Sequence, residues 1–272
     1  MKFLHYCTTV LFCIALICCV ANAWDWTGDI VFEDNFDGTS LDLNKWEYQE
    51  TCGGEFGPGN LQCYTRNNVA VQNGNLVITA RQERMEDKNF TSGRVRQRNV
   101  GFTYGAYVVR ARFSRGDHLW PALWLLNLNT DCRYEEIDMA EYRGQRADSN
   151  KLIMAAHWGK AYNQIKSTYT TGTTPEDLSL GFHEYAVLWV PSKIEWYFDR
   201  QKYFEASLTN GTFTSDPNIL PCRGGPTPYT DPSNFIFNIA VGGSFFSQYP
   251  PMDPSTWTKP TLEIDWVRVY QE

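Results

Sequence analysis

Charge is scarce in this chain. Only 20% of its 272 residues are Asp, Glu, Lys or Arg, and acids outnumber bases 31 to 24, for a net charge of −7. A chain of that sign has no basic face to offer a phosphate backbone, which excludes nucleic acid as the main partner. Helical periodicity is nearly absent. After residue 23 no apolar run is long enough to span a membrane. There is no CxxC pair, so the common zinc spacings are missing. No repeat and no proline-rich or Gly/Ser-rich linker divides the sequence. Aromatic residues, by contrast, are abundant: 10 Trp, 15 Tyr and 16 Phe make up 15% of the chain, and 43% of it is hydrophobic. That composition excludes an intrinsically disordered protein. It also raises the question of what a weakly charged protein does with so many rings.

The N-terminus reads as a leader rather than as fold. Lys2 precedes a mostly apolar run from Phe3 to Val20, and Ala21-Asn22-Ala23 is a small-x-small cleavage site. Residues 1–23 are therefore expected to be a secretory signal peptide, leaving 24–272 as one secreted, extracellular domain. The competing reading, an uncleaved anchor, meets His5, Thr8 and Thr9 inside a run at the lower length limit. Cleavage removes Lys2 and four of the eight cysteines. Cys52, Cys63, Cys132 and Cys222 remain, and in an oxidising compartment they suggest two disulfides with three pairings open. Cys52 and Cys63 flank a glycine-rich stretch, which favours a local bridge there and a second between Cys132 and Cys222. Asn89 and Asn210 begin glycosylation sequons.

Short β-type runs separated by turn residues fill the rest. Val69–Val71 and Leu76–Ala80 flank Asn73-Gly74, a hairpin signal. Further strands are expected at Gly105–Phe113, Glu184–Val190, Ile194–Asp199, Asn234–Val241 and Leu262–Tyr270. This spacing predicts an all-β sandwich of two large antiparallel sheets, one able to curve and offer a concave face.

The sharpest local feature is Tyr134–Tyr142. In a charge-poor chain, four carboxylates (Glu135, Glu136, Asp138, Glu141) fall within seven positions. On a strand, Tyr134, Glu136 and Asp138 share one face, and Ile137 and Met139 point to the other. Strict alternation turns Glu141 away. One extra residue near Met139 or Ala140, a β-bulge, brings it back. Glu136 and Glu141 then stand roughly 13 Å apart along the backbone at about 3.3 Å per residue. Side chains leaning together can bring the carboxyls towards the roughly 5 Å of a retaining glycosidase. Asp138 between them would keep one glutamate protonated, because close like charges resist joint ionisation. Taken alone, the segment is equally consistent with a solvated acidic strand or a calcium site.

The flanking motifs separate these readings. Val31–Gly38, Trp46, Gly59–Thr65, Asn73–Arg81, Thr91–Arg94, Leu119–Leu126, Glu136–Glu141, His157–Gly159, Trp196–Asp199, Asn238–Gly243 and Ile264–Tyr270, in this order, resemble glycoside hydrolase family sixteen. Its laminarinase branch (endo-β-1,3-glucanases) is the most similar, and the likeness spans nearly all of 24–272. The resemblance implies a concanavalin-like β-jelly roll with a substrate cleft. It implies hydrolysis of β-1,3-glucan with retained configuration, with mixed-linkage β-1,3-1,4-glucan as a side substrate. Glu136 becomes the nucleophile, Glu141 the acid and then base, and Asp138 their assistant. Trp120, Trp124, His157, Asn60 and Arg94 fall at substrate-binding positions. No cofactor is expected for catalysis. A structural calcium ion is implied near Glu33, Gly74 and Asp265. The expected partner is a β-glucan, with no nucleic acid, no membrane and a monomeric enzyme.

Two other readings remain. A non-catalytic β-glucan recognition protein on the same fold would have lost carboxylates that this chain keeps. Other substrates, including agar, carrageenan and xyloglucan, are weighed against by the signature's extra residue and by the acidic charge. The chain departs from the family pattern in the cysteine-bounded loop 51–59, in Asn60-Leu61-Gln62, and in the segment 127–133. These departures leave fine specificity open.

Overall fold

The computed structural model describes residues 26–53, 59–99, 101–128, 134–159, 165–209 and 229–272, with Arg146 described in its backbone alone. The leader at 1–23, the Cys132–Cys222 pairing and the Asn210 sequon lie outside the described residues. Within them are seventeen strands. They are β1 (Asp29–Asp34), β2 (Trp46–Tyr48), β3 (Gln62–Tyr64), β4 (Val69–Gln72), β5 (Asn75–Thr79), β6 (Phe90–Ser92), β7 (Arg94–Gln97), β8 (Gly105–Arg112) and β9 (Leu119–Asn127). Then follow β10 (Tyr134–Tyr142), β11 (Lys151–Gly159), β12 (Ile165–Thr173), β13 (His183–Val190), β14 (Lys193–Phe198), β15 (Gln201–Ser207), β16 (Ser233–Val241) and β17 (Thr261–Gln271).

One sheet has the order β15-β14-β13-β8-β17-β5-β4, with β1 also paired to β17. The other runs β12-β11-β10-β9-β16-β7-β2, and β3 and β6 form a small parallel pair. All pairings within the two large sheets are antiparallel, as the alternating hydrophobic pattern requires. The Asn73-Gly74 hairpin forms as read. Both residues have positive φ, 53° and 70°, which gives the turn the twist of its flanking strands.

The larger of two core clusters runs from Phe36 to Val269 and holds the facing sides of both sheets together. Here most of the rings are spent. Trp46, Trp158, Trp189 and Trp196 are fully buried. Phe113 stacks between Tyr142 of β10 and Tyr185 of β13, at 5.6 and 4.9 Å. Trp46 lies 5.4 Å from Phe237, and Tyr107 5.4 Å from Phe235. Each such ring contributes about 1.5–3 kcal/mol on burial.

Two features bear directly on the strand that carries the acids. Its partner on β14, Trp196, donates its indole N–H to the backbone carbonyl of Asp138 at 2.8 Å, from one sheet into the other. Cys52 and Cys63 form the local disulfide, which ties Cys52 to β3.

Candidate active site

β10 carries the bulge expected of it. Its register with β9 shifts between Asp138 and Ala140, and with β11 between Asp138 and Glu141. Ile137, Met139 and Ala140 are buried in the core. Glu136, Asp138 and Glu141 therefore share the outer face of the seven-stranded sheet. The fourth acid, Glu135, serves the fold instead. It is fully buried, and its carboxylate accepts the backbone N–H groups of Tyr229, Thr230 and Asp231 at 2.6, 3.2 and 3.2 Å.

β11 brings His157 opposite Glu136. His157 Nε2 lies 3.0 Å from Asp138 Oδ2 and 3.8 Å from Glu136 Oε1, and Nδ1 lies 2.5 Å from Ser167 Oγ. Burial disfavours the imidazolium, but the hydrogen bond and charge of Asp138, joined by Glu136 and Glu141, outweigh it and lift His157 to about 9. The two glutamates also rise. Burial, then the charges of Asp138 and Glu136, push Glu141 up to about 8. Burial and Asp138 push Glu136 up less far, to about 7, because His157, a hydrogen bond from Tyr134 and the charge of Arg94 favour its ionised form. The pair is thus split in the sense needed for one carboxylate and one carboxylic acid.

The tryptophans of β9 reach the same face, but not as open platforms. Trp120 donates its indole N–H to Glu141 Oε1 at 2.7 Å, and one ring face stacks on Phe245. Trp124 donates to Asn238 Oδ1 at 2.8 Å, with the guanidinium of Arg94 4.7 Å above its ring. Each indole is fixed by its N–H and covered on one side. Arg94 is buried rather than a surface cation. Its Nε donates to Gln49 Oε1 at 2.6 Å. Asn60 bridges Gly242 at the end of β16, near Trp120. Tyr134, Asn238, Tyr64 (whose hydroxyl accepts from Asn238 at 3.2 Å) and Phe245 belong to the site without having been singled out from sequence. The alternation that places Tyr134 beside Glu136 was a usable signal for the first of them.

The expected calcium ligands are positioned by β17. Asp265 follows the stretch paired with β5 and precedes the stretch paired with β1, so Gly74 and Glu33 lie on the same flank. Both carboxylates already face arginines, however. Asp265 is ion-paired with Arg110, and Glu33 lies 3.7 Å from Arg268. A calcium site needs several oxygens turned inward on one cation. Glu33, Gly74 and Asp265 are the residues that would hold it, and the two carboxylates have cross-strand arginines as counter-charge here. Among the described residues, Glu136, Asp138 and His157 have donor atoms within 4.8 Å of one another and could hold a metal ion. Their mutual ion pairs account for that closeness.

The pattern of the glycosyl hydrolases family 16 matches residues 59–267. A glucan endo-1,3-beta-glucosidase of Cryptopygus antarcticus is 34% identical over 265 residues, covering 91% of this chain and 92% of its own. A beta-glucanase of Rhodothermus marinus is 34% identical over 89% of this chain and 85% of its own. In structure, the chain is similar to the laminarinase catalytic domain of Thermotoga maritima, with a TM-score of 0.76 at 29% identity, covering 92% of this chain and 99% of that one.

Proposed function

The chain belongs to the glycosyl hydrolases family 16 and is a glycoside hydrolase acting on β-glucan; from that premise we propose that it cuts β-1,3-glucan internally, by double displacement with retained configuration. The observation that carries the mechanism is the bulge. It sets Glu136 and Glu141 on one face, each held by a different donor.

The acid/base residue is Glu141. It gives its proton to the glycosidic oxygen as Glu136 attacks the anomeric carbon, so the sugar–oxygen bond breaks and an ester to Glu136 forms. Glu141, now ionised, takes a proton from water, whose oxygen attacks the same carbon and releases Glu136 as a carboxylate. Asp138 and His157 act as a charged pair beside both. The Asp138 charge resists ionisation of Glu141 before the first step, while His157, Tyr134 and Arg94 keep Glu136 ionised. Only this chain's carboxyls and water are needed. Trp120, Trp124, Asn60 and Arg94 line or brace the sugar-binding face, where an uncharged glucan offers apolar CH faces and hydroxyls.

Secretion after removal of residues 1–23, a single domain over 24–272 and a monomeric state complete the reading. The mature protein should begin at Trp24. The non-catalytic alternative is weakened by the presence of both glutamates. Glu136→Gln should abolish release of reducing ends from laminarin while retaining binding of laminarin oligosaccharides. Surviving turnover would refute the mechanism. A panel of laminarin, mixed-linkage glucan, xyloglucan, agar and carrageenan should show highest activity on laminarin with short oligosaccharide products, and activity on agar alone would refute the substrate.

A further inference from the structure

Phe245 is not explained by the core. It follows β16 at a sharp turn. Gly242 and Gly243 both have positive φ, 69° and 90°, and a Cβ on Gly242 would stand 2.7 Å from the Leu61 side chain. Only glycine passes there without strain. The turn folds Ser244–Phe246 into a single 3-10 turn back over the end of β9, where Ala240 and Trp120 are paired. Phe246 packs inward on His118, and Phe245 meets Trp120.

The contact is close and nearly parallel: ring centroids are 4.1 Å apart with planes 15° from coplanar. The guanidinium carbon of Arg143 stands 4.0 Å from the Phe245 centroid. Two groups cannot both lie 4 Å from one face of a ring, so Phe245 is sandwiched between the indole and the cation. Among the described residues, Arg143 Nε is buried with no hydrogen-bond acceptor, and the ring is its partner on that side, with Tyr249 5.8 Å away. The far end of this stack is the indole N–H held on Glu141 Oε1 at 2.7 Å.

We propose that Phe245 and Arg143 are positioning residues for the acid/base: they clamp Trp120 so that its N–H holds the Glu141 carboxyl in its working orientation. The proposal rests on the acid/base role given to Glu141 above. Without Phe245 the indole is free to turn, and Glu141 loses a donor that both aims it and stabilises its ionised form. Proton transfer in both steps then suffers, and because Trp120 also faces the sugar, glucan affinity falls as well, to the same extent whatever the leaving group.

The test compares two leaving groups. With a laminarin oligosaccharide the departing alcohol needs a proton; with 2,4-dinitrophenyl β-laminaribioside it does not. Misplacing a general acid should lower kcat on the oligosaccharide by about tenfold to a hundredfold. In Phe245→Ala, kcat/KM should fall at least about tenfold less on the aryl glycoside than on the oligosaccharide. Sodium azide, which needs no general base, should restore turnover of the aryl glycoside. The alkaline limb of kcat/KM should move to higher pH, because a lost donor to the carboxylate raises its pKa. Phe245→Tyr should restore all of these properties. Equal losses on both substrates, or none, overturn the proposal. Should Phe245→Ala not fold, Arg143→Gln should show a smaller effect of the same leaving-group dependence, and no dependence there is equally fatal. Glu141→Ala is the control. If it lacks azide rescue and leaving-group dependence, the role of Glu141 itself is wrong; if it shows them and the Phe245 and Arg143 variants do not, only the clamp is wrong.

Discussion

Asp138→Asn isolates the charge that couples the site. The substitution keeps size and shape and leaves the Trp196 bond to the Asp138 backbone untouched. In the native protein His157 rises from 6.5 to about 9 against the opposing effect of burial, chiefly through the Asp138 contact at 3.0 Å. That rise corresponds to about 3 kcal/mol of preference for the imidazolium, at about 1.36 kcal/mol per pH unit. An opposite charge at this distance usually accounts for about 1–3 pH units. His157 should therefore fall back by about one to three units in the variant, from about 9 towards an ordinary imidazole. The same change removes a like charge from Glu136 and Glu141, so both should ionise at lower pH. Glu141 must be protonated for the first step, and the alkaline limb of kcat/KM should move down by about one unit. Histidine ring resonances followed by NMR from pH 5 to 10 measure the first effect, with His157→Asn assigning the signal. A pH profile on laminarin measures the second. A His157 that still titrates near 9, or an alkaline limb that stays or moves up, would refute the coupling.

Three further outcomes follow from the same contacts. Glu136 and Glu141 have folded-state pKa values above their unfolded 4.5, so the native state binds more protons and loses stability as pH rises from about 4.5 through about 8. The Tm of Glu136→Gln/Glu141→Gln should match wild type below pH 4.5 and exceed it increasingly up to pH 8, whereas a constant difference would contradict the burial argument. Trp196→Phe should cost about 1–3 kcal/mol in denaturant unfolding by removing the indole donor to the bulge carbonyl of Asp138, and should lower kcat as the bulge loosens; unchanged kcat and stability would mean that the bulge holds itself. Cys52→Ser/Cys63→Ser should destabilise by about 2–3 kcal/mol, the scale for so short a loop, read as a lower Tm that wild type shares only under reductant.

The acidic strand was legible because it is anomalous: four carboxylates cluster in a chain poor in charge, and counting positions from Glu136 to Glu141 already demands a bulge. The long buried strands β8, β13, β14, β16 and β17 were legible from alternating or continuous apolar runs. β12 was not, since an edge strand built of Thr, Ser and Lys carries almost no hydrophobic signal. The burial of Arg94 could not be read from its own neighbours, because the ring that covers it lies on β9. The same limit applies at the expected calcium ligands. Glu33 and Asp265 look like free oxygens until strand pairing brings Arg268 and Arg110 to them. Phe245 required both the Gly242-Gly243 turn and the position of Trp120 across the sheet. Pattern along the chain thus locates the chemistry, and the groups that tune it come from cross-strand neighbours.

The central claim is that Glu136 becomes covalently bound to the sugar. A 2-deoxy-2-fluoro laminaribiosyl fluoride slows both steps and allows the ester to accumulate. After proteolysis, mass spectrometry should find the fluoroglycosyl mass on the peptide carrying Glu136, and a Glu141→Ala enzyme should still form it. A label on Glu141 or Asp138, or inactivation without any label, would contradict the account.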